Sequence, residues 1–181
     1  RDVAPSRGLG DVYKRQLFEW VKLDAKEQVF HFELSDLNEL TRSIIADWVP
    51  TLENSRLEYE IEIPENEWSA RIDANAFTRI LNNLFQNIMV HSAATYIKLS
   101  VKEDTQRAII SLTDNGKGIS TEDLPHIFER MYQCDHSRSA NGNGLGLSIT
   151  KELVNAHKGT ISAASSPGLG TTFTIVLPKA L

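Results

Sequence analysis

The sequence predicts a two-layer α+β fold, in which a mixed, mostly antiparallel sheet of about five strands is covered on one face by about three helices. The spacing of apolar residues switches along the chain between the period of a helix and that of a strand. Strand-like segments also follow one another in pairs between the helices. A doubly wound parallel sheet would need a helix between nearly every two strands, so the paired order favours a mixed or antiparallel sheet.

The first helix is predicted from residue 37 onward, where apolar side chains recur at helical spacing. Ser35 or Asp36 can cap it, because a short side-chain oxygen accepts hydrogen bonds from the free amides at a helix start. Pro50 has no backbone N–H, and we expect it to close the helix.

The remaining elements follow from the same two periods. Apolar residues alternate with glutamates over 57–63, which predicts a strand with one solvated face. Asp73 opens a long amphipathic helix that runs to about His91. Further strands are predicted at 68–72, 96–102, 107–113, 160–164 and 171–177, a short helix near 121–132, and a longer helix over 145–157.

Composition excludes several classes of protein. The chain has 181 residues, of which 41% are hydrophobic and 24% charged, the balance of a globular domain. Its net charge of −5, with both signs interspersed, argues against a nucleic-acid binder, which needs a basic face. Cys134 is the single cysteine, so neither an internal disulfide nor a zinc site built on cysteines is expected. No apolar run approaches the roughly 20 residues that cross a bilayer.

The first part of the chain differs from the rest. Residues 1–16 contain proline, glycine and basic residues without apolar periodicity, and we expect a non-native or disordered leader. An amphipathic stretch over 17–29 follows, which could be the end of a longer helix. The chain begins with Arg1, so we expect it to be a fragment.

The segment TDNGKGI places Asp114 at the end of an apolar strand, ahead of Gly116 and Gly118. A carboxylate at this position can accept a hydrogen bond from an exocyclic amine, and glycines allow the backbone to approach a flat ring closely. The alternative is a plain Asp-Asn-Gly turn at a strand end.

The segment NGNGLGLSI carries Gly142, Gly144 and Gly146 into a helix. Free amides at a helix N-terminus bind phosphate when no side chains intervene, although a glycine-rich linker has the same composition. The pattern is not a P-loop, because no Gly-Lys-Ser/Thr follows. The motif set of serine/threonine kinases is also missing.

Two further groups of polar residues are candidates for phosphate chemistry. Asn83, Asn87 and His91 recur every four residues and share one helix face. Asparagine oxygens suit Mg²⁺, although exposed asparagines are common on helices. Arg130 and Arg138 lie in a Phe-Glu-Arg segment and the loop after it, where either could meet a phosphate or stay solvated.

The order of these motifs is more specific than any one of them. An Asn-bearing helix, an Asp-Gly-Gly turn, a Phe-Glu-Arg segment and a glycine-rich helix start together resemble the histidine-kinase branch of the Bergerat-fold ATPases. RILNNLFQNIMVHS is similar to the N box of that family, and GLGTTFTIVLP looks like its last hairpin. The resemblance covers roughly residues 35–178, and it implies the Bergerat ATP-binding fold.

The resemblance also implies roles for particular residues. Asn87 would be the Mg²⁺ ligand, with Asn83 and His91 on the phosphate side, and Asp114 would bind the adenine amine. Arg130 and Arg138, close to a mobile ATP lid, would be catalytic residues. The nucleotide-binding set it implies is Asn83, Asn87, Asp114, Gly116, Gly118, Ile119, Phe128, Gly142, Gly144, Leu145, Gly146 and Thr172.

The chain departs from the family pattern at three positions. Relatives often have a Lys or Arg in place of Val90, an Ala in place of Ile88 and an Arg in place of Gln133. Two cationic contacts that relatives often have are therefore missing from the expected places.

The implied function is that of the catalytic domain of a bacterial sensor histidine kinase, with residues 17–33 as the end of the dimerisation hairpin and connector and 34–181 as the ATP-binding domain. None of the five histidines has the sequence context of the phospho-acceptor. We expect Mg-ATP to donate its γ-phosphate to a histidine on that hairpin, and a response regulator to receive it next. The alternatives are a serine kinase of the anti-sigma-factor type and a nucleotide-binding scaffold without transfer activity.

The resemblance also implies the setting of the domain. The full-length protein would be a homodimer anchored in the bacterial inner (plasma) membrane, and this domain would lie in the cytoplasm without touching the membrane.

Overall fold

The computed structural model describes residues 29–130, 132 and 146–180. In chain order the elements are β1 (Glu33–Asp36), α1 (Leu37–Asn54), β2 (Glu58–Glu62), β3 (Ser69–Ile72), α2 (Ala74–His91), β4 (Tyr96–Glu103), β5 (Arg107–Asp114), a 3₁₀ turn (Leu124–His126), α3 (Gly146–Ala156), β6 (Thr160–Ser165) and β7 (Thr171–Pro178). The predicted leader at 1–16 and the amphipathic stretch up to residue 28 lie outside the described residues.

Five strands form the main sheet in the order β2-β4-β5-β7-β6. β2 pairs with β4 in parallel, and the other three pairings are antiparallel. Alternate residues of β4, β5 and β7 are buried beneath the helices, while the residues between them stay partly exposed on the other face. The predicted α+β sandwich of a mixed, mostly antiparallel sheet and three helices is confirmed among the described residues.

Helix α1 begins where the sequence predicted and ends later. The Asp36 carboxylate caps it by accepting from the Asn38 amide. The expectation that Pro50 closes the helix is wrong, because α1 continues to Asn54 with Pro50 inside it. Leu52, in the following turn, is completely buried in the core, and the burial of this side chain offsets the hydrogen bond that proline cannot donate.

Helices α2 and α3 lie side by side and run in opposite directions. The middle of α2 contacts the start of α3 through Asn83 and Gly146. At the other end, the backbone amide of Asp73, which caps α2, donates to Nε2 of His157 directly after α3. The N-terminus of α3 therefore points along the C-terminal half of α2.

Two local elements differ from the prediction. β1 was not predicted, and it pairs with β3 in a separate two-stranded antiparallel sheet. The short helix expected near 121–132 is shorter than predicted, because the described residues of that segment contain a 3₁₀ helix of three residues, Leu124–His126, between turns. In the part of the chain that the structure describes, no helix is long and apolar enough to cross a membrane.

Candidate functional site

Asp114 is the last residue of β5, and its side chain points toward the helices. The residue is 2% exposed, and its Oδ1 accepts a hydrogen bond of 2.7 Å from the amide of Gly116. Burial raises the pKa of Asp114, against the opposite effect of the Gly116 and Thr171 amides and the Ser92 hydroxyl. The carboxylate is thus held at the end of β5 by donors from its own turn, from β7 and from the cap of α2.

In the turn after Asp114, the positions of Gly116 and Gly118 leave no room for a side chain. A Cβ added at Gly116 would lie 2.2 Å from the carbonyl oxygen of Ser92 and 2.7 Å from Asp114 Oδ1. Gly118 has φ +71, and a Cβ there would lie 2.1 Å from the Ser166 carbonyl oxygen. Both glycines therefore allow the turn to pack closely against its neighbours.

Thr171, and not Thr172, shares the sheet face of Asp114. The two are paired in register between β5 and β7, and Thr171 also contacts the Ser165 hydroxyl at 2.9 Å. The Thr172 hydroxyl lies 3.0 Å from that of Thr113, on the opposite face of the sheet. The structure thus separates Thr172 from the Asp114 carboxylate and puts its neighbour beside it.

Two residues of this turn bind it to neighbouring strands. The Ile119 amide donates to the Ser165 hydroxyl at 2.8 Å. The Asn115 carboxamide oxygen accepts from the amides of Thr95 and Tyr96 and fixes the start of β4. Sequence reasoning assigned no role to Asn115, although an asparagine after a strand often bonds nearby backbone.

Asn83 joins α2 to α3. Its Nδ2 lies 3.3 Å from the Gly146 carbonyl oxygen and 3.2 Å from the Thr150 hydroxyl oxygen. Thr150 is completely buried, and its hydroxyl also donates to the Gly146 carbonyl at 2.8 Å. The Asn83 amide is therefore used to fix the start of α3 beside α2.

Asn87 lies one turn beyond Asn83 on the same face of α2. Because α3 starts beside Asn83 and runs the other way, Asn87 lies ahead of the α3 N-terminus. Its half-buried side chain makes no hydrogen bond to the residues that the structure describes. An oxygen donor and the N-terminal amides of α3 thus meet at one place.

His91 lies a further turn along, next to the helix cap Ser92. Burial lowers the pKa of His91, and the charge of Lys117 lowers it further. The lowered pKa favours the neutral imidazole. The described site thus extends along the C-terminal half of α2, about 14 Å from Asn83 to Ser92 at the usual helical rise.

The other predicted residues fall in different places. Phe128 is half-buried and packs edge-on against Phe173 of β7 at 6.4 Å between ring centroids. Arg130 is exposed at the end of the same segment. Gly146 begins α3, and a Cβ added to it would meet no atom of the described residues within 4 Å. The remaining predicted site residues, Arg138, Gly142, Gly144 and Leu145, lie outside the described residues.

The described residues offer few metal ligands. No group of three or more His, Cys, Asp or Glu side chains in this part of the chain could hold a metal ion. A cation here would need Asn87 together with oxygen atoms from a bound ligand, and this arrangement fits Mg²⁺ bound with a nucleotide.

Comparisons with known proteins agree on the kind of domain. Residues 72–181 match the family described as histidine kinase-, DNA gyrase B-, and HSP90-like ATPase. Over 165 residues the chain is 33% identical to the sensor histidine kinase YcbM of Bacillus subtilis, covering 90% of this chain and 53% of the relative. The chain thus spans about half the length of that protein.

Solved structures share the fold. The histidine kinase AdeS of Acinetobacter baumannii aligns with a TM-score of 0.73 and 22% identity, covering 92% of this chain and 77% of that one. The catalytic domain of the histidine kinase ThkA aligns with a TM-score of 0.72 and 23% identity, covering 83% and 99%.

Proposed function

The chain belongs to the family of histidine kinase-, DNA gyrase B- and HSP90-like ATPases, and from this premise we propose that it binds Mg-ATP and donates the γ-phosphate to a histidine of a two-component sensor kinase. The expected identity, the ATP-binding catalytic domain of a histidine kinase, is confirmed by the family match and the relatives.

The observation that carries the proposal is the alignment of two unlike sites along α2. At one end is a buried carboxylate, Asp114, beside a glycine turn. At the other, Asn87 lies ahead of the α3 N-terminus. A nucleoside triphosphate is a flat base joined to an anionic chain, and these two ends match those chemistries in order.

Different residues of the chain bind the base, the phosphates and the metal ion of Mg-ATP. Asp114 accepts a hydrogen bond from the adenine amine, and Gly116 lets the base lie against the backbone. The amides at the start of α3, fixed by Asn83, hold phosphate oxygens. Asn87 supplies one ligand to Mg²⁺, which neutralises charge on the phosphates when bound.

The transfer itself depends on positioning. A nitrogen of the acceptor imidazole attacks the γ-phosphorus, the bond to the bridging oxygen breaks, and ADP leaves with that oxygen. The acceptor lies on the dimerisation hairpin of a homodimeric kinase, and an aspartate of a response regulator takes the phosphoryl group from it. The parent protein is anchored in the inner membrane, with this domain in the cytoplasm.

Calorimetric titration of the chain with ATP, in the presence and absence of Mg²⁺, tests the binding step. Saturable binding that Mg²⁺ strengthens is the expected result, and no binding by folded protein at millimolar ATP would contradict the proposal. Transfer is then tested by adding a hairpin domain that carries an acceptor histidine, together with labelled ATP. Acid-labile label on the hairpin is expected, whereas acid-stable label on a serine would favour a kinase of the anti-sigma-factor type.

A further inference from the structure

The nucleotide site described above has almost no positive charge on α2. Between Asn83 and Ser92 that helix carries neither Lys nor Arg, and Val90 is an exposed apolar residue, 40% accessible. His91 is the remaining basic group of this stretch, and burial together with the charge of Lys117 lowers its pKa, which favours the neutral form. A phosphate chain along this helix therefore needs a cation from another element.

Lys117 lies in the glycine turn between Gly116 and Gly118, and its backbone is fixed from both sides. Its amide donates to the Ser92 carbonyl oxygen at 2.7 Å, and its carbonyl accepts from the Gly168 amide at 2.7 Å. The turn therefore holds the Lys117 backbone directly against the C-terminal end of α2.

The Lys117 side chain is exposed, and it takes part in none of the ion pairs among the described residues. Its charge reaches His91, the residue before Ser92, and lowers the pKa of that imidazole. His91 lies one helical turn from Asn87 on the same face. The Lys117 backbone thus lies against the C-terminal end of α2, and its charge reaches the helical turn that follows Asn87.

We propose that Lys117 is a ligand for the phosphate groups nearest the ribose, and that it supplies the positive charge that α2 lacks. The inference rests on the proposed function, because it assigns Lys117 to the nucleotide bound in that site. A flexible four-carbon stem with an ammonium at its end suits this role, because it reaches a phosphate oxygen without fixing its geometry.

The position of Lys117 predicts which nucleotides depend on it. Adenosine has the base and the sugar without phosphate, so its affinity should not involve the ammonium group. ADP and ATP both have the two phosphates nearest the ribose, so both should lose affinity when the charge is removed. The loss should also shrink as ionic strength rises, because the contact is exposed.

Calorimetric titrations with ATP, ADP and adenosine test the assignment in Lys117→Gln, Lys117→Arg and the unchanged chain. Lys102→Gln is the matched control, because Lys102 is exposed on the sheet face turned away from the helices. At low ionic strength we expect Lys117→Gln to weaken ATP and ADP binding by about threefold to tenfold, with adenosine unchanged. Lys117→Arg should retain most of the affinity, and Lys102→Gln all of it.

Three results would overturn the assignment: no loss in Lys117→Gln, an equal loss for adenosine, or a loss confined to ATP. The last would place the ammonium on the γ-phosphate. Failure of the unchanged chain to bind ATP would instead contradict the proposed function itself. An independent readout is the titration of His91 by NMR without nucleotide, where Lys117→Gln should raise the pKa toward its ordinary value.

Discussion

The side-chain nitrogen of Asn83 lies 3.2 Å from the hydroxyl oxygen of Thr150, so one polar contact fixes the start of α3 against the middle of α2. The two residues are far apart in sequence, and the contact lies partly buried between the helices. The same amide reaches the Gly146 carbonyl at 3.3 Å. This arrangement directs the N-terminal amides of α3 toward Asn87.

Removing either side of this contact should destabilise the domain. We expect Asn83→Ala and Thr150→Val each to lower the free energy of unfolding by about 1 kcal/mol, and a double-mutant cycle in urea to give a coupling of about 0.5–1.5 kcal/mol. Thr78→Val is the matched control, because the Thr78 hydroxyl donates only to Ala74 within its own helix. Equal losses for Thr150→Val and Thr78→Val, with no coupling, would contradict this account.

Asp114→Asn should weaken ATP binding by about 1–3 kcal/mol, roughly tenfold to a hundredfold. Because Oδ1 already accepts from the Gly116 amide, the new side-chain nitrogen would face the adenine amine, and two donors would oppose each other. Calorimetry on the variant measures the loss. Asp104→Asn provides the control, since the Asp104 carboxylate accepts from backbone amides in the turn between β4 and β5. Unchanged affinity in Asp114→Asn would exclude this carboxylate as the base-binding group.

Asn87→Ala should remove most of the effect of Mg²⁺ on ATP affinity and leave the binding of ATP without Mg²⁺ nearly unchanged. The reason is that Asn87 is assigned to the cation rather than to the nucleotide. The measurement is the ratio of the two dissociation constants in each variant. Asn82→Ala is the control on the same helix, because the Asn82 side chain bonds to Trp48 of α1. An Mg²⁺ effect that survives in Asn87→Ala would move the metal ligand elsewhere.

Lys158→Gly should stabilise the protein by about 1 kcal/mol. Lys158 follows α3 with φ 58, a left-handed conformation that strains any residue with a Cβ, and its side chain is exposed. Lys151→Gly, the same substitution at an exposed position inside α3, should instead cost about 1 kcal/mol. Thermal or urea unfolding compares the two, and the same sign for both would contradict the argument.

The stability that Asp73 contributes should depend on pH. Burial alone would raise the pKa of Asp73, but the amides of Ala76 and His31 and the nearby His157 outweigh it, and the net shift is downward. A carboxyl with a lowered pKa in the folded state contributes stability above its ordinary value of 3.8, and the contribution is lost as the pH falls through the folded value.

Asp73→Ala also removes the cap of α2, and it should cost about 1–2 kcal/mol at pH 7. The difference from the unchanged chain should be constant down to about pH 5 and shrink below it. Urea unfolding at a series of pH values measures this difference. A difference that does not vary with pH would show that the cap acts without its charge.

The sequence predicted those parts of the fold that local patterns determine. The caps Asp36 and Asp73, the alternation of buried residues in β4 and β5, and the position of Asp114 at a strand end all follow from short-range rules. These features depend on the identity of a residue and its immediate neighbours, so one sequence contains the signal.

The misses all depend on residues distant in the sequence. α1 passes through Pro50 because Leu52 is buried, and β1 exists because β3 is available to pair with it. The contact of Asn83 with Thr150 depends on how two helices pack. Thr171, and not Thr172, lies beside Asp114 because of the face that β7 presents when it pairs with β5. None of these relations has a local pattern.

The pairing of β5 with β7 also has a consequence for how the domain can vary. Asp114 and Thr171 are aligned in this ladder, so the connection from Asn115 to Gly170, which contains the glycine turn, α3 and the edge strand β6, begins and ends at one residue pair of the sheet. The entropy of closing a connection grows only logarithmically with its length, by about 0.6 kcal/mol for each doubling. Insertions or deletions in the loops of that connection, outside α3 and β6, would therefore cost the sheet little, and a protein of this architecture can change the length of those loops while its sheet and helices stay the same.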